Sequence, residues 1–227
     1  MIIAAEVVSG LFCGYLVISV CESFFHRTIQ DASPALRLLY EKWGWVGESL
    51  TYAWYSHHVV HHFLTFRKNH VTQFSNEEEL ARLDSHLKAK RFGYIIECRY
   101  GLILGGRLKY YAWYMAPTVP IFISLCCIGG SWFTIGACLP LCLWPMLAQF
   151  IHRYLHMRYR DVIDRGPFVV RVFAKTAYFR YLARHHWLHH RYTNCNYNLL
   201  LGGDYVLGVW RKANNEDLDE IRSIGLW

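Results

Sequence analysis

Two stretches of this chain are apolar for longer than the core face of an ordinary helix requires. Residues 2–25 carry only Glu6 and Glu22, near opposite ends, and residues 110–151 carry no charged side chain at all. The second stretch is about twice the roughly 20 residues that cross a bilayer. Gly129–Gly130 divides it, which predicts spans at 111–128 and 131–151 to follow a first span at 3–23. Pro117 and Pro120 bend the second span, as membrane helices tolerate. The N-terminal stretch has neither a basic leading region nor a convincing small-residue cleavage site, so it reads as a retained span.

Between and after the spans the pattern turns polar and mixed. Residues 36–63 read as helical with interleaved aromatics (Tyr40, Trp43, Trp45, Tyr52, Trp54, Tyr55), a face suited to packing or to the membrane interface. Ser75-Asn76-Glu77-Glu78 is a capping box that opens a polar helix to about Arg91. Residues 161–184 are basic and amphipathic, which predicts a helical stretch along the bilayer surface. From Asn194 onward the signals are loop-like, with Gly202–Gly203. The expected fold is all-α: one domain over 1–227, with about three spans and a cytosolic helical cap at 27–109 and 152–227.

Charge orients this arrangement. The 227 residues hold 24 Lys and Arg against 17 Asp and Glu, a net charge of +7. Every cation falls within 27–109 or 153–227. The positive-inside rule therefore puts both segments in the cytosol and the N-terminus outside. Topology and anionic headgroups account for the basic charge, and no nucleic-acid partner is required. The expected location is an integral, multi-pass membrane protein: endoplasmic reticulum in a eukaryote, inner membrane in a bacterium. Eight cysteines without a CxxC pair argue against a zinc ribbon or a disulfide framework and for small packing residues.

The candidate chemistry is carried by histidine. Eight of the 13 histidines lie in two similar blocks, His57-His58-Val59-Val60-His61-His62 and His185-His186-Trp187-Leu188-His189-His190. Residues three and four apart share a helix face, and imidazole is the commonest side-chain ligand for transition metals. Two i,i+4 pairs, Glu22/His26 and His152/His156, close the first and third spans. Three spans bring all four clusters to one cytosolic boundary. The ligand candidates are Glu22, His26, His58, His61, His62, His152, His156, His186, His189 and His190. One zinc takes four ligands, so ten suit two ions with about five each, and imidazole with carboxylate suits iron among other metals. His57 and His185 sit at the edges of their faces and read as groups that orient a ligand; His70 is a possible extra ligand, and His86 reads as exposed.

The order E/HxxxHR, HxxHH, HxxxH, HxxHH resembles the fatty acid hydroxylase / sterol desaturase superfamily of membrane non-haem di-iron oxygenases. The matching residues are Glu22…His26-Arg27, His58…His61-His62, His152…His156 and His186…His189-His190. A later stretch, Asn196-Tyr197-Asn198 and Gly203-Asp204-Tyr205-Val206-Leu207-Gly208, is similar to the family's closing signature. Glu22 stands where the family commonly has His. The resemblance implies two iron ions cycling between Fe2+ and Fe3+, O2 as co-substrate, and hydroxylation of an unactivated C–H bond in a lipid-like substrate: fatty acyl, sterol, sphingoid or terpenoid. It implies electrons from NAD(P)H through a separate reductase chain ending in a cytochrome b5- or ferredoxin-type donor. Asn196 and Asp204 read as supports for the histidines. Alternatives are a desaturase on the same scaffold, a zinc-only protein, and a non-enzymatic histidine-rich metal-binding membrane protein.

Overall fold

The computed structural model of the chain describes residues 2–66, 70, 71, 78, 81, 82, 85 and 118–227. The elements found among them are helices, with no strand, as the sequence predicts. His86, Gly105–Gly106, most of the 75–91 helix and the beginning of the second expected span lie outside the described residues.

Helix α1, Ile2–Phe25, runs straight into a π-helical turn, π1, His26–Gln30. Ser33 caps the short α2, Pro34–Tyr40, accepting from the Leu36 N–H, with Pro34 in the first turn where its missing donor costs nothing. Helix α3, Gly44–Trp54, continues as an 11-residue π-helix, π2, Tyr55–Thr65. After α4, Thr118–Ile128, helix α5, Ser131–Met146, passes through π3, Leu147–Ile151, into α6, His152–Leu155.

The basic stretch at 161–184 is not one helix. It is divided into α7, Tyr159–Arg165, α8, Phe168–Ala174, and the first half of α9, Ala177–Tyr192. Pro167 has no N–H to continue the ladder of α7, and Thr176 starts α9 by accepting the Phe179 N–H on its own hydroxyl. A single turn, α10, Gly203–Val206, and the capped helix α11, Asn215–Ser223, complete the chain.

Helices α1 and α5 pack along their length through small residues. A Cβ on Gly10 would stand 1.9 Å from the Phe133 carbonyl oxygen, and one on Gly136 would stand 2.1 Å from that of Val7. Such contact between backbones is available only to glycine. Away from this seam the pair turns apolar side chains outward, among them Phe12, Ile135 and Leu139. The helix from Ile2 to Gln30 is the one described helix long and apolar enough to cross a membrane; α4 and α5 are apolar but shorter.

The other half holds an ordinary core. Leu155, Val162, Ala174, Phe179 and Leu182 pack under α9, while Trp187, Leu188, Ile221 and Leu226 fasten α11 to its far side. Ile18, Leu141, Trp144 and Leu200 join the two halves. The C-terminal ends of α1, π2, α6 and α9 therefore meet at one place.

Candidate metal centre

That meeting place is lined by imidazoles in two groups. Group A is His61, His152, His156, His186 and His190; group B is His26, Asp31, His57, His62 and His189. Within each group the donor atoms lie within 4.8 Å of one another.

Group A converges on His186. Its Nε2 lies 2.8 Å from His152 Nε2, 2.9 Å from His156 Nε2 and 3.1 Å from His190 Nε2. An imidazole nitrogen carries one proton or one lone pair, so it can serve one such partner and not three. The spacing instead fits the edges of a coordination shell. Cis ligands about 2.1 Å from a five- or six-coordinate ion are about 3.0 Å apart, against about 3.4 Å for a tetrahedron. Both nitrogens of His61, which faces the same point, are buried without a hydrogen bond.

Group B is built around Asp31. Its Oδ2 lies 3.5 Å from His26 Nε2 and 3.4 Å from His189 Nε2, and Oδ1 lies 3.6 Å from His57 Nδ1. Oδ2, His26 Nε2, His189 Nε2 and both nitrogens of His57 and His62 are buried with no hydrogen-bond partner. So many orphaned donors facing one another would be costly in a protein without a cation to join them. The residues present thus fit two metal ions.

The two groups are interleaved. From the first block His61 goes to A while His57 and His62 go to B. From the second, His186 and His190 go to A and His189 to B. His62 and His190 stack at 4.0 Å where the groups touch.

The helix geometry explains this division. In the α-helix α9, His186 and His190 are four apart and share a face. In π2 the backbone closes every five residues, so His57 and His62 align and His58 turns away. In π1 the Asp31 N–H bonds to the His26 carbonyl at 2.9 Å, and the two residues, five apart, face the same ion position. A sequence reading at 100° per residue therefore chose His58 over His57 and passed over Asp31. The signal available in the sequence was the i,i+5 spacing.

Carbonyl groups set which nitrogen faces inward. The Nδ1–H of His189 donates to the Cys195 carbonyl at 2.9 Å, and that of His156 to the His70 carbonyl at 3.1 Å, leaving both Nε2 atoms for the groups. Burial keeps the imidazoles uncharged. It pushes His61, His62, His152, His156, His186 and His190 well below the ordinary histidine range, His57 to about 4, and His189 to about 3. Asp31 is held well below the carboxylate range: burial opposes its charge, but the surrounding imidazoles of His57 and His26 and the hydrogen bond from His58 outweigh it.

Of the ten expected ligands, eight fall in the two groups. Glu22 does not. Its carboxylate accepts the N–H groups of Leu199 and Leu200 at 3.0 and 2.8 Å, and Asn198 Nδ2 at 3.4 Å, and so clamps the 198–200 loop. His58 donates from Nδ1 to Asp31 Oδ1 at 2.8 Å instead of joining a group. His57, expected to orient a ligand, stands in group B.

His70 lies beside group A, 4.3 Å from the His156 ring. Its Nε2–H points to the Leu155 carbonyl at 3.3 Å and its Nδ1 is unpartnered. His185 donates to Asp204 Oδ2 at 2.9 Å, and Asp204 also receives Ser23 Oγ at 2.6 Å and the Asn198 N–H at 2.9 Å. Burial would raise Asp204, but these bonds hold it below its usual value. Asn196 joins neither group and exchanges two hydrogen bonds with the Arg211 backbone.

Comparison with known families, characterised proteins and solved structures gives no match to this chain. The reading of the centre therefore rests on its own geometry. A cavity of about 380 Å³ is bordered by His62, His190, Phe63, Phe66, Trp187 and Arg191 among others. It opens where the two groups touch, between aromatic walls.

Proposed function

We propose that this chain is a membrane-embedded di-iron oxidoreductase that uses O2 to hydroxylate an unactivated C–H bond of a lipid-like substrate. The observation that carries the proposal is the pair of interleaved five-donor groups, His61/152/156/186/190 and His26/Asp31/His57/62/189. Five donors exceed the four of a zinc site, and the short nitrogen–nitrogen edges of group A suit a five- or six-coordinate ion of the iron type.

The membrane part of the proposal draws on the apolar Ile2–Gln30 helix, the outward apolar faces of α4 and α5, and the confinement of all Lys and Arg to 27–109 and 153–227. Three spans then place the centre at the cytosolic boundary, within reach of a substrate that partitions into the bilayer.

When bound, the two ions supply the binding and reduction of O2 and the oxidising power that breaks the C–H bond. The protein's own residues hold and position. Cys195 and His70 carbonyls fix His189 and His156, His58 fixes Asp31, and Asp204 fixes His185 beside the second block. Phe63, Phe66 and Trp187 give part of the cavity an apolar wall against which a hydrocarbon can lie, with Arg191, Thr193 and Glu220 on its polar side. The resemblance of the histidine motifs implies electrons from NAD(P)H through a separate cytochrome b5- or ferredoxin-type donor, in keeping with a sequence that shows no evident haem, flavin or iron–sulfur motif.

The test is purification of the full chain, metal analysis, and lipid profiling of cells with and without it. Two iron ions per chain and a lipid heavier by one oxygen atom, both absent in His186→Ala, are expected. A product lighter by two hydrogens assigns a desaturase. Zinc alone with no lipid product, or metal and turnover unchanged in His186→Ala, overturns the proposal.

A further inference from the structure

The two groups are not chemically equal. Group A consists of five imidazoles and no carboxylate. Group B replaces one imidazole with the carboxylate of Asp31, which is 3% exposed at its side chain. A divalent ion in group A keeps its full charge, while one in group B has a carboxylate against it in a dry, low-dielectric place where attraction between opposite charges is strong. Glu220 borders the cavity beside His190 but is 45% exposed and faces Arg191 at 3.6 Å, so it gives group A no comparable charge.

The carboxylate is also preset. His58 holds Asp31 Oδ1 at 2.8 Å, which leaves Oδ2 directed between His26 Nε2 and His189 Nε2. Oδ2 has no hydrogen bond and is buried. Asp31 is thereby arranged as a one-oxygen ligand, with His58 as its positioning residue.

We infer that the two metal positions differ in affinity: the Asp31 position fills first and binds its ion at least about tenfold more tightly than the all-imidazole position. The inference rests on the two-ion reading of the site. It makes His58 a determinant of metal order, a role that sequence spacing assigned instead to direct ligation.

The test is titration of chelator-stripped full-length protein in detergent with Co2+, whose visible absorption reports coordination at each step. Wild type is expected to take up two ions in two resolved steps. His156→Ala, in group A, should lose the weaker step and keep the stronger. Asp31→Asn should weaken the stronger step at least tenfold while leaving the other in place. Should Asp31→Asn fail to fold, His58→Gln leaves Asp31 present but frees Oδ1, and should weaken the stronger step alone. Two equal steps in wild type, or a stronger step that survives Asp31→Asn and His58→Gln unchanged, overturn the inference while leaving a two-ion centre intact. Failure of wild type to bind two ions overturns the two-ion reading and the inference with it.

Discussion

Glu22 shows how a residue can be placed correctly and still be assigned the wrong work. It lies four before His26, on the same side of α1 and next to the centre, yet its oxygens are taken by Leu199, Leu200 and Asn198. Glu22→Ala should therefore leave two ions bound while destabilising the fold. Two buried N–H groups lose their acceptor, at about 1–3 kcal/mol each, and a lower melting temperature at unchanged metal content is the expected reading. Loss of one ion in that variant would return Glu22 to the ligand set. The buried imidazoles make a second prediction at this scale. His57 titrates at about 4 and His70 and His189 at about 3 in the fold, each pushed down first by burial, against about 6.5 in an unfolded chain. The unfolded state thus binds more protons below pH 6.5, so stability is complete above that value and falls as pH drops toward 3–4. Chelator-stripped protein should melt at progressively lower temperature from about pH 6.5 downward; a flat profile to pH 4 would contradict the buried, neutral assignment.

At the level of elements, the parts legible in sequence were those obeying α-helical periodicity. His186 and His190 on α9, and His152 and His156 around α6, fall where 100° per residue puts them. The errors cluster in π1 and π2, where five-residue closure changes which side chains share a face and composition gives no cue to the change. The split of 161–184 at Pro167 could have been foreseen, since proline cannot extend a helix from its N-terminal neighbours. Element packing also yields a prediction. α1 leads into π1 with His26, and α5 leads through π3 to His152 and His156, so the α1–α5 seam sets the separation of groups A and B. Gly136→Leu forces its side chain onto the Val7 carbonyl and should cost both ions together, read as metal content and melting temperature. Gly130→Ala, whose Cβ meets nothing nearer than Glu6 Oε2 at 3.8 Å, should retain both.

For the whole molecule, the proposed membrane topology is constrained by the centre, which is assembled from residues before and after the apolar hairpin. Histidines 26, 57, 61 and 62 precede α4 and α5, while 152, 156, 186, 189 and 190 follow them. A chain that contributes ligands from both sides of this hairpin must return to the side it left, which requires an even number of crossings there. A single crossing between residues 66 and 152 would put the two halves of each group on opposite faces of the bilayer. If α4 and α5 are the two proposed crossings, the turn at Gly129–Gly130 faces away from the cap. A protease site inserted after Gly130 should be cut only from the face opposite the one at which a site appended after Trp227 is cut, in sealed vesicles of either orientation. If both sites are cut from the same face, α4 and α5 are not a pair of spans, and Ile2–Gln30 is the one candidate span left among the described residues.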